Sequence, residues 1–373
     1  MKHNLAEIFP LFDIPGTYVR AEPYGSGHIN DTYAVHVDQA GTLVRYIFQR
    51  INHVIFKDPV KLMNNISRVT THLAGKFRDH PDASRRTLTV MPSRLGREYA
   101  VDENGLFWRV YIFIENARTY DAVENEHQAR EAARAFGLFQ HLLNDLPGAP
   151  LYESIPDFHH TPARFAALMD AVSLDGCNRA EAANREIDFF LRRESDMYKL
   201  ANLQADGAIP LRITHNDTKL NNVMIDDLSG EGICVIDLDT VMPGLALYDF
   251  GDMVRTATSR SKEDERDLAL VHMQMPMFAA LVRGYLESAS AFLHPVEVEH
   301  LPFSGKLITM ETGIRFLTDY LRGDVYFKTV RPDHNLDRCR TQCALVASIE
   351  EQGDAMAQVV DQIHGELGGR VLT

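Results

Sequence analysis

Two short stretches decide the fold of this chain: ITHNDTKLNN at residues 213–222 and VIDLDT at residues 235–240. Each stretch begins with apolar residues typical of a buried strand and then becomes polar. The spacing is more informative than the composition, because an H-x-D triplet alone is common. Here H-x-D-x-K-x-x-N is followed by a strand that ends in D-x-D, with Asp237 placed 20 residues after Asp217.

The polar residues of these stretches match the needs of phosphoryl transfer. That reaction needs a carboxylate beside the attacking hydroxyl, oxygen ligands for magnesium and positive charge near the moving phosphoryl group. Asp217 is placed as the base, Lys219 as the positive contact, and Asn222 and Asp237 as magnesium ligands. The alternative is a pair of strand-end turns with satisfied backbone hydrogen bonds. It leaves unexplained why so many competent groups collect between two apolar strands.

The composition is that of an ordinary globular protein with an acidic balance. Its 373 residues are 45% hydrophobic and 24% charged, with a formal net charge of −14. Residues 1–114 hold 14 Lys and Arg against 11 Asp and Glu, so the acidity lies in the remainder. Nucleic-acid binding needs a basic face, and we therefore expect no nucleic-acid partner. The mildly basic N-terminal part suits a nucleotide, and the acidic remainder suits metal and an uncharged or cationic acceptor.

No targeting or membrane segment is expected. The chain begins without an apolar run of signal-peptide length, and no run approaches the ~18 apolar residues of a membrane-spanning helix. Cys339 and Cys343 lie one helical turn apart and are expected to pack rather than to form a disulfide. These features predict a cytoplasmic protein without a membrane partner, and they leave the oligomeric state open.

The N-terminal third shows strand patterns and one helix. Asp58-Pro59 is typical of a helix start, with an acceptor at the N-cap and proline at the first helical position, and the helix is expected to reach Lys76. The strands are predicted at residues 17–24, 31–38, 42–51, 86–91 and 106–114. They predict a five-stranded antiparallel sheet in an N-terminal, nucleotide-covering lobe of residues 1–114, with residues 115–117 as the hinge.

The remainder of the chain has helical periodicity. Helices are predicted at residues 126–146, from a Thr161 cap onward, and at 181–204, 261–290, 304–322 and 336–373. Asp249-Phe250-Gly251 spells a magnesium motif of protein kinases but lies too far beyond Asp217, so we expect Asp249 to cap a helix. The predicted fold class is α+β and bilobal. A small antiparallel N-lobe with one helix precedes a larger, mostly helical lobe at 115–373 that holds the catalytic loop and acceptor site.

The catalytic stretch and the IDLD strand end resemble the aminoglycoside phosphotransferase and choline kinase group, whose fold is protein-kinase-like. Within that group, the chain looks most similar to bacterial N-acetylhexosamine 1-kinases. The similar segments cover nearly the full length: residues 23–30, 108–111, 214–222, 236–244, 249–252, 301–305 and 310–327. The resemblance implies a kinase that uses ATP and Mg²⁺ to phosphorylate the anomeric hydroxyl of GlcNAc or GalNAc, a small-molecule sugar substrate.

The resemblance also implies individual site residues. Asp217 would bind the anomeric hydroxyl, and Asp239 would help Asn222 and Asp237 to hold magnesium. The sugar would be contacted by His28, Arg315 and Tyr326, since arginine offers a fork of donors and a tyrosine face can pack on a pyranose. The residues expected around the nucleotide are Gly25, Ser26, Gly27, Gln49, Arg50, Phe113 and Glu115.

Several of these residues have a second interpretation. The strand lysine that kinases present to the phosphates is missing, and Gln49 stands there with Arg50 beside it, so the phosphates would be held by either residue or by the loop backbone. The glycine-rich turn is also compatible with an ordinary hairpin, in which His28 is solvated. Arg315 is equally placed for an ion pair with Asp319.

Other functions also stay open. The same chemistry suits another acceptor, such as an aminoglycoside, choline, homoserine or a different sugar. A pseudokinase would bind nucleotide or a partner without turnover, and the missing strand lysine favours it slightly. A sugar-binding regulator would have no need of paired metal carboxylates.

Overall fold

The computed structural model describes residues 2–25 and 29–368. The chain divides into two compact units. The first comprises Met1–Arg118, Asp145–Pro156 and Met224–Met242, and the second comprises Thr119–Asn144, Asp157–Val223 and Pro243–Thr373. Among the helices in the described residues, none is long and apolar enough to cross a membrane.

Ten strands are assigned in the described part of the chain. In chain order they are β1 (Thr17–Pro23), β2 (Asp31–Gln39), β3 (Thr42–Arg50), β4 (Ala100–Val101), β5 (Phe107–Ile112), β6 (Ala117–Arg118), β7 (Arg212–Thr214), β8 (Val223–Asp226), β9 (Gly232–Val235) and β10 (Met242–Gly244).

The same residues form twelve α-helices. They are α1 (Leu5–Ile8), α2 (Pro59–Lys76), α3 (Glu126–Leu143), α4 (Thr161–Leu174), α5 (Asn184–Leu191), α6 (Glu194–Ala205), α7 (Ala246–Ala257), α8 (Met275–Ala289), α9 (Pro295–Glu299), α10 (Leu301–Leu321), α11 (His334–Glu351) and α12 (Gly353–Gly368). The predicted fold class is confirmed, with an antiparallel sheet in the N-terminal part and a larger helical C-terminal part.

The first unit is built on a five-stranded antiparallel sheet with the order β1-β2-β3-β5-β4. Its register sets Gln49 of β3 opposite Thr32 of β2 on one side and Arg109 of β5 on the other. Phe48 and Trp108, each at a neighbouring position, are completely buried in the core. The sheet therefore aligns three polar side chains across its centre. The predicted helix at 59–76 is also confirmed, and the Asp58 side chain accepts from the Lys61 amide.

The prediction of a full strand at residues 86–91 is wrong. This segment meets β5 only at the Val90–Tyr111 bridge and through two hydrogen bonds, from the Met91 amide to the Val110 carbonyl and from the Ile112 amide to the Thr89 carbonyl. Pro92 follows directly and has no amide proton, so the ladder cannot continue. The other end of the same β5 edge pairs with β4, which completes the sheet.

The helical unit corrects five predicted boundaries. Residues 181–204 form α5 and α6 rather than one helix, and residues 336–373 form α11 and α12 within the described part. Of the helix predicted at 261–290, only α8 is regular, because Pro276 lies in its first turn and starts it. Pro302 likewise starts α10 at Leu301. The N-cap of α4 is His160 and not Thr161, because the His160 side chain accepts from the Ala163 amide.

Close approach of α8 to α3 depends on a glycine. A Cβ atom added at Gly284 would lie 2.0 Å from the carbonyl oxygen of Arg130, which is backbone of α3 and cannot move aside. Gly365 on α12 is a helical glycine without such a constraint, since nothing lies within 4 Å of a Cβ built there.

We expect Gly284→Ala to destabilise the protein by about 1–3 kcal/mol, because the methyl group forces two packed helices apart. Gly365→Ala is the matched control and should gain about 0.5–1 kcal/mol from reduced backbone entropy. The measurement is the free energy of unfolding from urea denaturation. An unchanged stability for Gly284→Ala would show that the contact between α3 and α8 is not tight.

Candidate active site

The catalytic loop, residues 215–222, is held by two aspartates of α7. The buried Asp249 carboxylate accepts from the backbone amides of His215 and Asn216, at 2.8 and 2.7 Å. Asp252, one turn later, accepts from the Thr218 amide at 3.0 Å. The Thr218 hydroxyl in turn donates to the Asp249 carbonyl at 2.6 Å. The backbone on both sides of Asp217 is therefore fixed to one helix.

Asp249 thus has a different role from the one predicted. Helix α7 begins at Ala246, so the expectation that Asp249 caps it is wrong. The carboxylate points into the core instead and also accepts from the Gln140 amide group at 2.6 Å. Burial raises the pKa of Asp249, although the nearby His215 and the two loop amides act in the opposite direction. Its oxygens are occupied by these donors, which supports the view that this triplet is not the magnesium motif.

The catalytic loop turns sharply at Asn216. This residue has a φ of 65°, in the left-handed region, which asparagine enters more readily than most residues. The Thr214 hydroxyl donates to its side-chain oxygen at 3.0 Å. Gly244 packs against this turn, and a Cβ there would lie 2.3 Å from the Thr214 hydroxyl oxygen.

Three of the predicted site residues meet in this loop. The Lys219 ammonium lies 2.8 Å from one oxygen of Asp217. The Asn222 amide nitrogen donates to the other oxygen at 3.0 Å and to the Asp217 carbonyl at 2.8 Å. Since these bonds use the amide nitrogen, the Asn222 side-chain oxygen remains available to a cation, and no donor among the described residues binds it.

The charge state of Asp217 follows from these contacts. Burial alone raises its pKa, but the charge and hydrogen bond of Lys219, together with His215 and Arg255, lower it more. The pKa of Asp217 is therefore below its ordinary value, and that of Lys219 is raised by Asp217 and Asp252 against the opposing effect of burial. An ionised carboxylate next to an ammonium group is the state required of a base or of a residue that orients a hydroxyl.

A cavity of about 650 Å³ adjoins Lys219 within the second unit. Its volume is in the range of small-molecule sites. Acidic and basic groups both line it: Asp121, Glu124 and Glu263 against Lys219, Arg255, Arg260 and Lys262. Apolar side chains, among them Leu220, Val271 and Leu345, form much of the remaining wall, so the lining is mixed in polarity without a strong excess of either charge.

Arg315 and Tyr326 lie at the end of α10 and in the segment after it. The Arg315 guanidinium carbon is 5.8 Å from the centre of the Phe158 ring and 5.6 Å from that of Phe327. The alternative ion pair with Asp319 is wrong, because Asp319 accepts from the backbone amides of residues 325–327 and from Asn335. Arg315 forms no ion pair with any residue that the structure describes, and Tyr326 is 67% exposed.

In the first unit, the D-x-D strand end is tied to a buried arginine. Arg109 of β5 is fully buried and forms an ion pair with one oxygen of Asp239. Asn30 donates to the other oxygen at 2.6 Å. Burial lowers the pKa of Arg109, but the charge of Asp239, with a contribution from Asp237, has a larger effect in the opposite direction. The pKa of Arg109 is therefore above its ordinary value. Asp237 itself has a left-handed backbone, with a φ of 57°.

Gln49 and Arg50, which stand where a kinase would have its strand lysine, both form hydrogen bonds with other side chains of the protein. Gln49 accepts from Arg109 at 3.0 Å and donates to the Thr32 hydroxyl at 3.0 Å. Arg50 donates to Asp31 at 2.5 Å. Gln49 therefore orients Arg109, a residue whose role the sequence interpretation missed. Its signal was a charged residue within an apolar strand.

The end of β5 carries the other residues expected around the nucleotide. Glu115 forms an ion pair with Arg45, and the Arg45 guanidinium stacks 3.7 Å above the Phe113 ring. Tyr24 meets the same ring edge-on at 5.3 Å. Gly25 has a φ of 78° and open space around it. Ser26, Gly27 and His28 lie outside the described residues.

The side chains predicted as metal ligands carry oxygen donors, the type that magnesium prefers. Among the residues described, no group of three or more His, Cys, Asp and Glu side chains is arranged to hold a metal. Magnesium does not need such a cage, because it is commonly bound by one or two carboxylates together with water and substrate phosphates. The oxygens of Asn222 and Asp237 are ligands of the type that it prefers.

A family model described as the phosphotransferase enzyme family, APH, matches residues 20–284, which is more than half of the chain. This chain belongs to the phosphotransferase enzyme family. The resemblance to the aminoglycoside phosphotransferase group is thereby confirmed.

Solved structures share the fold at low identity. An aminoglycoside phosphotransferase from Alicyclobacillus acidocaldarius is 11% identical, with 97% of both chains covered and a TM-score of 0.58. A choline kinase from Cryptosporidium parvum is 14% identical, with 94% of both chains covered and a TM-score of 0.53. A spectinomycin phosphotransferase in complex with ADP and spectinomycin is 11% identical, covers 96% of this chain and 97% of its own, and has a TM-score of 0.51.

We expect Asp239→Asn to cost about 3–5 kcal/mol of unfolding free energy, because it leaves the buried Arg109 without its counter-charge. Lys76→Met is the control, since Lys76 pairs with Asp145 at 2.5 Å in the same unit but on the surface. Loss of that exposed pair should cost at most about 1 kcal/mol. Equal effects of the two variants in urea denaturation would refute a buried role for the Arg109–Asp239 pair.

Proposed function

We propose that this phosphotransferase is an ATP- and magnesium-dependent kinase that phosphorylates the anomeric hydroxyl of N-acetylhexosamines, GlcNAc or GalNAc. The observation that carries the proposal is the contact of Asp217 with both Lys219 and Asn222 in a loop whose backbone is fixed by α7. This arrangement supports catalysis over a pseudokinase, because the base is charged and its neighbours are ordered.

In this proposal, each residue of the loop has one task. Asp217 accepts or orients the proton of the attacking hydroxyl, and Lys219 places positive charge beside the moving phosphoryl group. Asn222 and Asp237 are the proposed magnesium ligands, with Asp239 as helper while it also neutralises Arg109. Magnesium, when bound, neutralises charge that develops on the phosphates.

The nucleotide is assigned to the lobe of residues 1–114 and the segment after it. The proposed contacts are the glycine-rich turn at 25–27, Gln49, Arg50, Phe113 and Glu115. The first unit supports this assignment in one respect. Arg45, Phe113 and Tyr24 form an aromatic and cationic surface at the end of β5, a surface suited to a flat, electron-rich base.

The acceptor is assigned from the charges of the second unit. Arg315 stacks between two aromatic rings without a carboxylate partner in the described residues, which suits hydroxyl or carbonyl oxygens and disfavours a cation. Tyr326 is exposed and adds a ring face, and His28 is the third proposed sugar contact. The mixed charges of the cavity beside Lys219 also favour a neutral, hydroxyl-rich acceptor over a polycation.

An amino alcohol is the second candidate acceptor. Asp121 and Glu124 in the wall of the cavity offer negative charge to an ammonium group, and a choline kinase shares the fold. Release of ADP from Mg-ATP against GlcNAc, GalNAc, glucose, galactose, kanamycin, choline and homoserine separates the candidates, with the product assigned by phosphorus NMR. An anomeric phosphate on an N-acetylhexosamine is expected. Turnover with amine-bearing acceptors alone would overturn the sugar assignment.

We expect Asp217→Asn to lower kcat by about 10²–10⁴-fold, because an amide cannot take the proton of the acceptor. Binding of Mg-ATP should persist, as measured by calorimetry. Asp206→Asn, at the exposed end of α6, is the control and should retain wild-type turnover. Wild-type turnover in Asp217→Asn would refute the assigned base.

Lys219→Met tests the charge coupling through the pH profile. Activity needs ionised Asp217, so it is lost as the pH falls through the pKa of that group. Lys219 lowers this pKa, while burial raises it. Without Lys219, the acid limb of kcat/KM should move to higher pH. The control Lys199→Met removes an exposed cation of α6 and should leave the limb in place.

A further inference from the structure

His159 lies between a buried carboxylate and the backbone of the catalytic loop. Its Nδ1 is 2.8 Å from Glu311 Oε1 on α10, and its Nε2 is 3.0 Å from the carbonyl oxygen of Asn216. The side chains of His159 and Glu311 are only 7% and 1% exposed. The Thr161 hydroxyl donates to the second oxygen of Glu311 at 2.6 Å, which fixes the carboxylate in turn.

Both partners of the imidazole ring are acceptors. A peptide carbonyl can only accept, and so can an ionised carboxylate, whereas a neutral imidazole has a single N–H. Burial raises the pKa of Glu311, but His159, Thr161 and Arg315 lower it more, so the carboxylate is ionised. Only the imidazolium form of His159, with two N–H groups, satisfies both contacts.

His334 is a buried histidine for comparison. Its Nδ1 accepts from the Val330 amide at 3.3 Å, and its Nε2 lies 3.0 Å from Asp264. One ring nitrogen thus meets a donor and the other meets an acceptor, so these contacts do not require a second N–H. The two histidines are both buried and both face a carboxylate, yet only His159 faces an acceptor on each side.

The carbonyl that His159 holds belongs to the residue before the proposed base. The amide of Asn216 is bound by Asp249, so His159 and Asp249 hold Asn216 from opposite ends. The carbonyl of Asn216 belongs to the peptide group that joins it to Asp217. Because Asn216 has a left-handed φ, which is less favourable for most residues, hydrogen bonds to this peptide group help to keep its orientation. A rotation of this peptide group would displace the Asp217 carboxylate, and small displacements of reacting groups cost rate.

We propose that His159, as an imidazolium held by Glu311, is a positioning residue that fixes the Asn216 carbonyl and thereby the Asp217 carboxylate. The inference rests on the proposed function only for the role of Asp217. It adds a charge requirement outside the catalytic loop, so that turnover depends on the protonation of a residue that touches neither substrate nor nucleotide.

The charged groups around His159 set the sign of its pH dependence. Glu311 faces it from α10, with Arg315 one turn further along the same helix. Helix α7 contributes the charge of Asp252 and the ring of Tyr248, at 5.4 Å between ring centres. Burial lowers the pKa of His159, but Glu311 and Asp252 raise it above the ordinary value. Positioning is therefore present at low and neutral pH and is lost as the pH rises through this raised pKa.

Kinetics of three variants test the role. His159→Gln should lower kcat by ~10-fold to ~100-fold with the KM for ATP unchanged. Glu311→Gln removes the charge that raises the pKa, so the alkaline limb of kcat should move to lower pH. His334→Gln, the matched control, should keep the wild-type profile. A purely structural role for His159 predicts equal losses at every pH and an unmoved limb in Glu311→Gln, which would overturn the proposal.

Nitrogen-15 NMR of the histidine-labelled wild-type protein provides a test that does not depend on turnover, with folded variants needed only to assign the signals. The signals are assigned by the loss of one set in His159→Gln and another in His334→Gln. At neutral pH, His159 should show two protonated ring nitrogens. A neutral ring at His159 would overturn the inference even if the kinase activity were established. An imidazolium in a protein whose Asp217→Asn variant is fully active would instead refute the proposed function.

Discussion

The Asp249 carboxylate beneath the catalytic loop is the constraint on which the rest of the site depends. A buried carboxylate is costly unless donors surround it, and buried backbone amides are costly unless an acceptor meets them. The amides of His215 and Asn216 and the side chain of Gln140 meet both requirements at once. These hydrogen bonds therefore hold the helix and the loop together.

This constraint extends outward through helix packing. Gly251 follows Asp249 by two residues on α7, and a Cβ there would lie 2.4 Å from the Ser304 carbonyl of α10. The absence of a side chain lets α10 approach, and α10 carries both Glu311 and Arg315. Gly251 thus allows α10 to pack close to α7, so that Glu311 can pair with His159 beside the loop. The same helix carries Arg315, the proposed acceptor contact.

A buried ion pair organises the first unit in a comparable way. The protein lacks the expected lysine on β3 and instead buries Arg109 from the next strand, oriented by Gln49 and neutralised by Asp239. A buried arginine stays charged, so its counter-charge must come from within the fold. Of the two carboxylates in the D-x-D end, Asp239 is engaged in this task. Asp237 is the other carboxylate of the pair and is the one assigned the proposed magnesium contact.

The parts of the molecule that the sequence predicted are those with local signals. The helix at 59–76 is predicted from its N-cap residue and the proline that follows it. The grouping of Lys219 and Asn222 with Asp217 is predicted because both lie within five residues of it. The failures involve partners distant in the chain. The supports of the loop come from Gln140, Asp249 and His159, and the edge strand of the sheet is decided by which of two segments reaches β5. The periodic pattern of hydrophobic residues does not predict such pairings, because each depends on tertiary packing.

Net charge is a poor guide to the acceptor for the same reason. The chain carries a formal charge of −14, which alone favours a cationic acceptor. The structure shows where that charge is used: Asp249, Asp252, Glu311 and Asp319 all bind donors of the protein itself. Asp319 in particular binds backbone amides, so Arg315 forms no ion pair with it and has two aromatic rings nearby, with Glu311 one turn earlier on the same helix. The charge of Arg315, unpaired among the described residues, is positive, which favours the proposed oxygen-rich, neutral acceptor over a cation.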